Sequence, residues 1–185
     1  MTTYSAQYGW AKPPHPDAIS ADAFKTLFRR HAAGVAVITL RATDRLVGFT
    51  ATSVISVSAD PPLLAFSVAG RSSSWPALQD ADTLVVNFLA ADQADLSARF
   101  ATSGIDRFAG GGWSELPSGE PYLHQTPRWI RGEIVQRTSI GSSHLICVQA
   151  IGSSLDHRDA SASTDAPPLV YHDRVYHRID GSSAV

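Results

Sequence analysis

From Leu46 to Ala59 the chain carries no charged residue, reading LVGFTATSVISVSA, and it then meets Asp60-Pro61-Pro62. β-Branched and hydroxyl side chains alternate through this run, which predicts one long strand over 46–58. Proline fixes φ and donates nothing to a ladder, so the strand ends at that point. Further strands are predicted at hairpin spacing over 35–40, 63–68, 83–89, 128–137 and 145–151, with a turn at Thr43-Asp44-Arg45. A closing hairpin is predicted over 169–171 and 175–177. Helices are few and short. Ser20 is placed to cap one bearing Phe24, Leu27 and Phe28 at helical spacing, with Gly34 as its stop. Ser74 starts a second, and Asp92 caps a third that runs to about Phe100, with Asp95 in its first turn. Strands strung together by hairpins predict a mainly β chain with short helices, an antiparallel barrel rather than a doubly wound sheet.

One domain over 20–180 is expected, preceded by an aromatic- and proline-rich arm over 1–19. Residues 101–125, with Gly110-Gly111-Gly112, read as loop, and 156–166 as an exposed insertion. Charged residues make up 17% of the chain, well under the roughly 25% of an average soluble protein. The net charge of -2 lacks the basic footprint of a nucleic-acid binder, so no nucleic-acid partner is expected. No stretch approaches the ~20 apolar residues of a membrane span, and the first residues have no signal-peptide core. The single cysteine, Cys147, allows no internal disulfide, and a cytoplasmic setting is expected.

Two hydroxyl clusters are the candidate chemistry. On an unbroken strand, Thr50, Thr52, Ser56 and Ser58 share one face, either for β propensity or as a wall that hydrogen-bonds a ligand. Arg71-Ser72-Ser73-Ser74 precedes a helix start, which suits either a phosphate or a plain capped turn. Self-sufficient side-chain chemistry is not visible. No G-x-G-x-x-G, P-loop, H-E-x-x-H or G-x-S-x-G occurs, no metal site is expected, and Cys147 reads as a packed thiol. The combination points to a cofactor that supplies the reaction while the protein binds and orients.

The order of short motifs resembles the flavin reductase domain family, the NAD(P)H:flavin oxidoreductases that serve two-component monooxygenases. The motifs are Ala33 to Thr39 (AGVAVIT), Gly48-Phe49-Thr50-Ala51-Thr52-Ser53, Ser56 to Leu63 (SVSADPPL), Ser72 to Trp75 and Val86-Asn87-Phe88-Leu89. Gln93, Ser97-Ala98-Arg99-Phe100, Asp106-Arg107-Phe108-Ala109-Gly110, Trp113, Gly119 to Leu123 (GEPYL), His144, Pro168 to Tyr171 (PLVY) and Tyr176 follow in the same order. The resemblance implies a split β-barrel that binds FMN or FAD and forms a homodimer with the flavin near the interface. It implies that Gly48, Phe49, Thr50, Thr52 and Ser53 line the flavin, flanked by Ser67, Val68 and Ala69. By the same carry-over, Ser73, Ser74 and Arg99 hold phosphate, and His144, Tyr171, His172 and Tyr176 serve the cofactors from the far end of the chain.

Two departures from the family pattern are visible. The Gly-Asp-His run of relatives is here Gly141-Ser142-Ser143-His144, and the closing segment reads His172-Asp173-Arg174-Val175-Tyr176, with an acid near the expected pyrophosphate. The implied reaction is hydride transfer from NADH or NADPH to the flavin, which needs no catalytic side chain and supplies reduced flavin to a separate flavin-dependent monooxygenase. A non-catalytic flavin carrier or sensor, or an oxidase of the pyridoxamine-phosphate type, are the alternative readings on a related barrel.

Overall fold

In the computed structural model, which describes residues 15–124, 126–156 and 165–184, the segment 46–58 is two strands rather than one. The strands are β1 (Ala33–Gly34), β2 (Ala36–Arg41), β3 (Leu46–Ala51), β4 (Ile55–Ala59), β5 (Pro62–Ala69), β6 (Thr83–Phe88), β7 (Trp113–Glu115), β8 (Pro121–Leu123), β9 (Arg128–Ile140), β10 (Ser143–Ser153), β11 (Leu169–His172) and β12 (Val175–Arg178). Among the described residues three short α-helices interrupt them: α1 (Ala21–Arg29), α2 (Trp75–Asp80) and α3 (Ala94–Ala101). The main sheet has seven strands in the order β3-β2-β6-β9-β10-β5-β4, every pair antiparallel.

The outermost strands of that sheet, β3 and β4, are consecutive in the chain and joined only by residues 52–54. Seven flat strands would hold their edges about 29 Å apart, at roughly 4.8 Å per step. The link from residue 51 to residue 55 reaches at most about 14 Å. The sheet therefore curls until its edges meet. Ser53 ties the seam: its Oγ accepts from the Ser67 backbone N–H at 3.0 Å and donates to the Ser67 carbonyl at 3.2 Å. Periodicity runs on through 52–54, which is why alternation alone reads the segment as one strand.

Three clusters of buried side chains fill the interior, the smallest being Val85, Leu116 and Trp129. Ile38, Leu40, Phe66, Leu84, Ile146 and Val148 pack inside the curl, while Val37, Leu89, Phe100, Phe108, Leu123 and Leu169 pack between β2 and α3. The expected loop over 101–125 contains the β7–β8 hairpin, fastened by a buried amide. Asn87 Nδ2 donates to the Val37 carbonyl and to Thr39 Oγ1, both at 3.0 Å, and Asn87 Oδ1 accepts from Leu123 N–H at 2.9 Å. A buried polar group of this kind is stable only when paired, and here it is.

Ser20 caps α1 as expected, its Oγ accepting from Ala23 N–H at 3.2 Å. Gly34 does not stop that helix: Arg30 closes it, and Gly34 pairs with Val170 in β1. α3 starts after Gln93 rather than at Asp92, with Gln93 Oε1 accepting from Ala90 N–H at 2.8 Å. The closing hairpin forms, turning through Asp173 and Arg174 at φ of 48° and 67°. Most of the expected insertion over 156–166, and residues 1–14 of the arm, lie outside the described residues.

Candidate functional site

Curling brings β3, β5 and the turn before α2 around one cavity of about 550 Å³. Phe49 and Thr50 reach it from β3, Ser67, Val68 and Ala69 from β5, and Ser73 and Ser74 from the turn. Residues nearly twenty positions apart thus share a wall. Thr50 Oγ1 donates to the Ser97 carbonyl at 2.6 Å, which commits its proton and leaves its lone pairs to accept. Ser74 stands at the N-cap of α2 but makes no capping bond with its side chain.

A second cavity, of about 620 Å³, adjoins the first and shares Ser73, Ser74, Gly104 and Arg107 with it. Gly48 lines this one. A third, of about 780 Å³, shares Ser67 with the central cavity and is lined by Thr52, Ser53 and Tyr171 among others. Arg99, His144, His172 and Tyr176 line none of these three.

Two arginines line the central cavity with the serine pair: Arg71, from the Arg71-Ser72-Ser73-Ser74 run that the sequence singles out, and Arg107, to which sequence reasoning gave no role. Arg107 Nε donates to the Thr102 carbonyl at 2.9 Å and its Nη1 to the Gly48 carbonyl at 2.6 Å. Burial lowers its pKa, but an arginine keeps its charge under any such shift. The signal was available in Asp106-Arg107-Phe108, where the Asp106 carboxylate accepts from Phe108 N–H at 3.0 Å and shapes the loop. Arg99 instead lies beneath Gly110, with Nη2 3.4 Å from the Gly111 carbonyl, and its buried Nε has no partner.

The remaining expected residues lie outside the central cavity. His144 stacks flat on Trp75, ring centroids 3.5 Å apart and planes 4° from parallel, with Nδ1 3.0 Å from Ser139 Oγ. A Cβ at Gly70 would stand 3.3 Å from His144 Nε2, so the glycine leaves that nitrogen room. Tyr176 OH lies 2.9 Å from Ser97 Oγ, linking the closing hairpin to the carbonyl that holds Thr50. His172 and His177 meet edge to face at 5.7 Å. Among the described residues, no group of three His, Cys, Asp or Glu is placed to hold a metal ion, and no helix is long and apolar enough to cross a membrane.

Residues 28–180 match the flavin reductase like domain. An NADH:FMN oxidoreductase of Rhodococcus erythropolis is 41% identical over 169 residues, covering 91% of this chain and 86% of that protein. A flavin-dependent monooxygenase reductase subunit, HsaB, of Rhodococcus jostii is 36% identical over 107 residues, covering 58% of this chain and 55% of that subunit. Among solved structures, a flavin reductase domain protein from Arthrobacter sp. FB24 superposes with a TM-score of 0.78 at 37% identity, over 86% of this chain and 95% of that one.

Proposed function

This chain belongs to the flavin reductase like domain family, and we propose that it oxidises NADH with a bound flavin, FMN foremost, and passes reduced flavin to a separate monooxygenase. The single observation that carries the reading is the cavity between β3 and β5, because its lining suits the two ends of a flavin. The phosphate end needs hydroxyls and a cation, and Ser73 and Ser74 with Arg71 and Arg107 would supply them. The flat ring needs an apolar floor, and Phe49, Val68 and Ala69 give it. Bound flavin supplies the two-electron acceptor for the nicotinamide hydride; the side chains bind, orient and exclude water. No group in the cavity is required to give up or take a proton.

The architecture supports a split barrel, since the curled sheet is open only at the β3–β4 seam. A homodimer is part of the same reading. Cross-strand partners share a face, so Ile55, Ala65 and Cys147 form one row, and Ser67 and Leu145 the next. Ile55 and Leu145 are 57% and 39% exposed on that outer face, an apolar surface suited to a second copy. A cytoplasmic setting fits the lone Cys147.

Steady NADH oxidation on addition of FMN is the expected result. His144→Ala is expected to raise the KM for NADH several-fold with FMN affinity unchanged, because His144 is held by Trp75 and Ser139 outside the flavin cavity. Flavin binding without NADH oxidation would make the chain a carrier instead.

The phosphate end gives a second comparison. Arg107→Met is expected to weaken FMN by about 10- to 100-fold, the worth of a charge-assisted bond, and riboflavin far less. Arg99→Met is expected to weaken both flavins equally and mildly, through the Gly110 loop it supports. Fluorescence titration with FMN and riboflavin checks both; the reverse pattern would return the phosphate to Arg99.

A further inference from the structure

Tyr176 stands apart from all three cavities, yet a single residue links it to the wall of the central one. That residue is Ser97 in α3, fully buried, whose hydroxyl meets Tyr176 OH at 2.9 Å across 79 positions of chain. The Ser97 carbonyl meanwhile accepts from Thr50 Oγ1 at 2.6 Å, and Thr50 lines the central cavity. One residue of α3 thus ties the closing hairpin on one side to β3 on the other. Serine is a poor choice for the middle of a helix, where its hydroxyl competes for backbone partners. Buried there, it needs a partner, and Tyr176 is that partner.

The two ends of this link are held differently. Backbone bonds fix the hairpin: β11 pairs with β1, Leu169 N–H donates to the Leu89 carbonyl at 2.9 Å, and Asp173 N–H to the Arg29 carbonyl at 2.9 Å. Helix α3 depends on its side chains. Eight residues are too few for a helix to stand by itself in water, so packing sets its position. It buries only Ser97 and Phe100. Phe100 supplies apolar contact, which has no direction, while the Ser97 hydroxyl supplies a directed bond. Where α3 sits decides what Thr50 can do. With its proton given to the Ser97 carbonyl, the Thr50 hydroxyl offers only lone pairs to the cavity. Were that carbonyl withdrawn, the hydroxyl would be free to turn and to donate.

Resting on the reading of the central cavity as a flavin site, we propose that Tyr176 is a positioning residue for the flavin: through Ser97 it holds the Thr50 hydroxyl as an acceptor for an N–H or O–H of the ring and ribityl part. The isoalloxazine ring carries an N–H and the ribityl chain carries hydroxyls, whereas a doubly ionised phosphate has no proton to give. Tyr176 therefore acts on every flavin alike, unlike Arg107, whose charge serves the phosphate. The tyrosine that the motif pattern sets among the cofactor contacts serves the cofactor without touching it.

The test is fluorescence titration of the full chain with FMN and with riboflavin, for the parent, Tyr176→Phe, Ser97→Ala, Thr50→Val, Thr50→Ser and a Tyr176→Phe, Thr50→Val double variant. Phenylalanine keeps the ring against Tyr171, 5.2 Å away, and removes only the hydroxyl. Ser97→Ala breaks the same bond from the helix side, a second route to the same answer. Each is expected to raise the Kd for FMN and for riboflavin alike by about three- to tenfold, the worth of one neutral hydrogen bond. Thr50→Val is expected to lose at least as much, and Thr50→Ser, which keeps the hydroxyl, to stay close to the parent. The double variant is expected to bind no more weakly than Thr50→Val alone, because the tyrosine then has nothing left to position. A merely structural tyrosine would lower the melting temperature and leave both Kd values at the parent level. That result, or a rise confined to FMN, overturns the proposal. Additive losses in the double variant overturn it too, since Tyr176 would then act without Thr50. A parent that takes up neither flavin would sink the flavin reading itself and the proposal with it, so the parent tells the two failures apart.

Discussion

Replacing Arg131 with methionine is expected to destabilise the fold by about 3–5 kcal/mol, the usual consequence of stranding a buried charge. The charge is Glu120, 2% exposed and gripped from three elements. Arg131 on β9 donates through Nε to its Oε1 at 2.9 Å and brings Nη2 equally close as an ion pair; Thr83 on β6 and Ser118 in the β7–β8 turn donate from their hydroxyls. Burial by itself would raise the Glu120 pKa, but bonds from Arg131, Ser118, Thr83 and its own backbone outweigh it and hold the carboxyl at about 2, against an ordinary 4.5. A folded pKa below the unfolded one means stability that is full above about 4.5 and drains away as pH falls toward 2. The size is roughly 3 kcal/mol, from 1.36 kcal/mol per unit.

Urea denaturation at neutral pH measures the first effect, and the same titration stepped from pH 5 to 2.5 measures the second. A Glu120→Leu, Arg131→Met double variant is expected to recover much of the single variant's loss, since it removes the stranded charge along with its partner. An Arg131→Met protein as stable as its parent would mean that water reaches Glu120.

How far the sequence disclosed this arrangement depends on whether the determining interaction was local. Ser20 at the start of α1 and the hairpin over 169–177 were legible, because a cap and a two-residue turn are decided within a few positions. The break at 52–54 was not: whether an alternating run stays in one ladder depends on where its far partner lies, here Ser67. The β7–β8 hairpin was hidden for the same reason, being fastened by Asn87 from another strand. At the site, the hydroxyl residues were legible but their geometry was not. Thr50 and Thr52 fall to different cavities once the strand divides, and the second cation near Ser73 and Ser74 comes from a loop. Arg99 and Arg107 look alike in sequence; only the fold of residues 101–113 decides which one lines the cavity with the serines.

Gly48 was singled out by sequence as a flavin-lining residue, and its position assigns it a more exacting part. A Cβ there would stand 2.5 Å and 2.8 Å from two atoms of Phe100 and 3.2 Å from Phe108 Cζ. Both rings are braced by neighbouring aromatics. Phe100 is fully buried and meets Phe108 edge to face at 5.2 Å, and Phe108 meets Trp113 likewise at 5.6 Å. One methyl must therefore push α3 or the loop over 104–113 away from β3. The Gly48 carbonyl also accepts from Arg107, so the same shift withdraws the cation from the serine pair. Gly48→Ala is expected to cost about 1–3 kcal/mol of stability by overpacking and to weaken FMN about tenfold or more. Gly34→Ala is the control. It meets nothing within 4 Å, and both measurements are expected to match the parent closely. A Gly48→Ala protein that unfolds and binds FMN like its parent would show that the aromatic ladder slides freely, and that strand, loop and arginine are not held in register by the missing side chain.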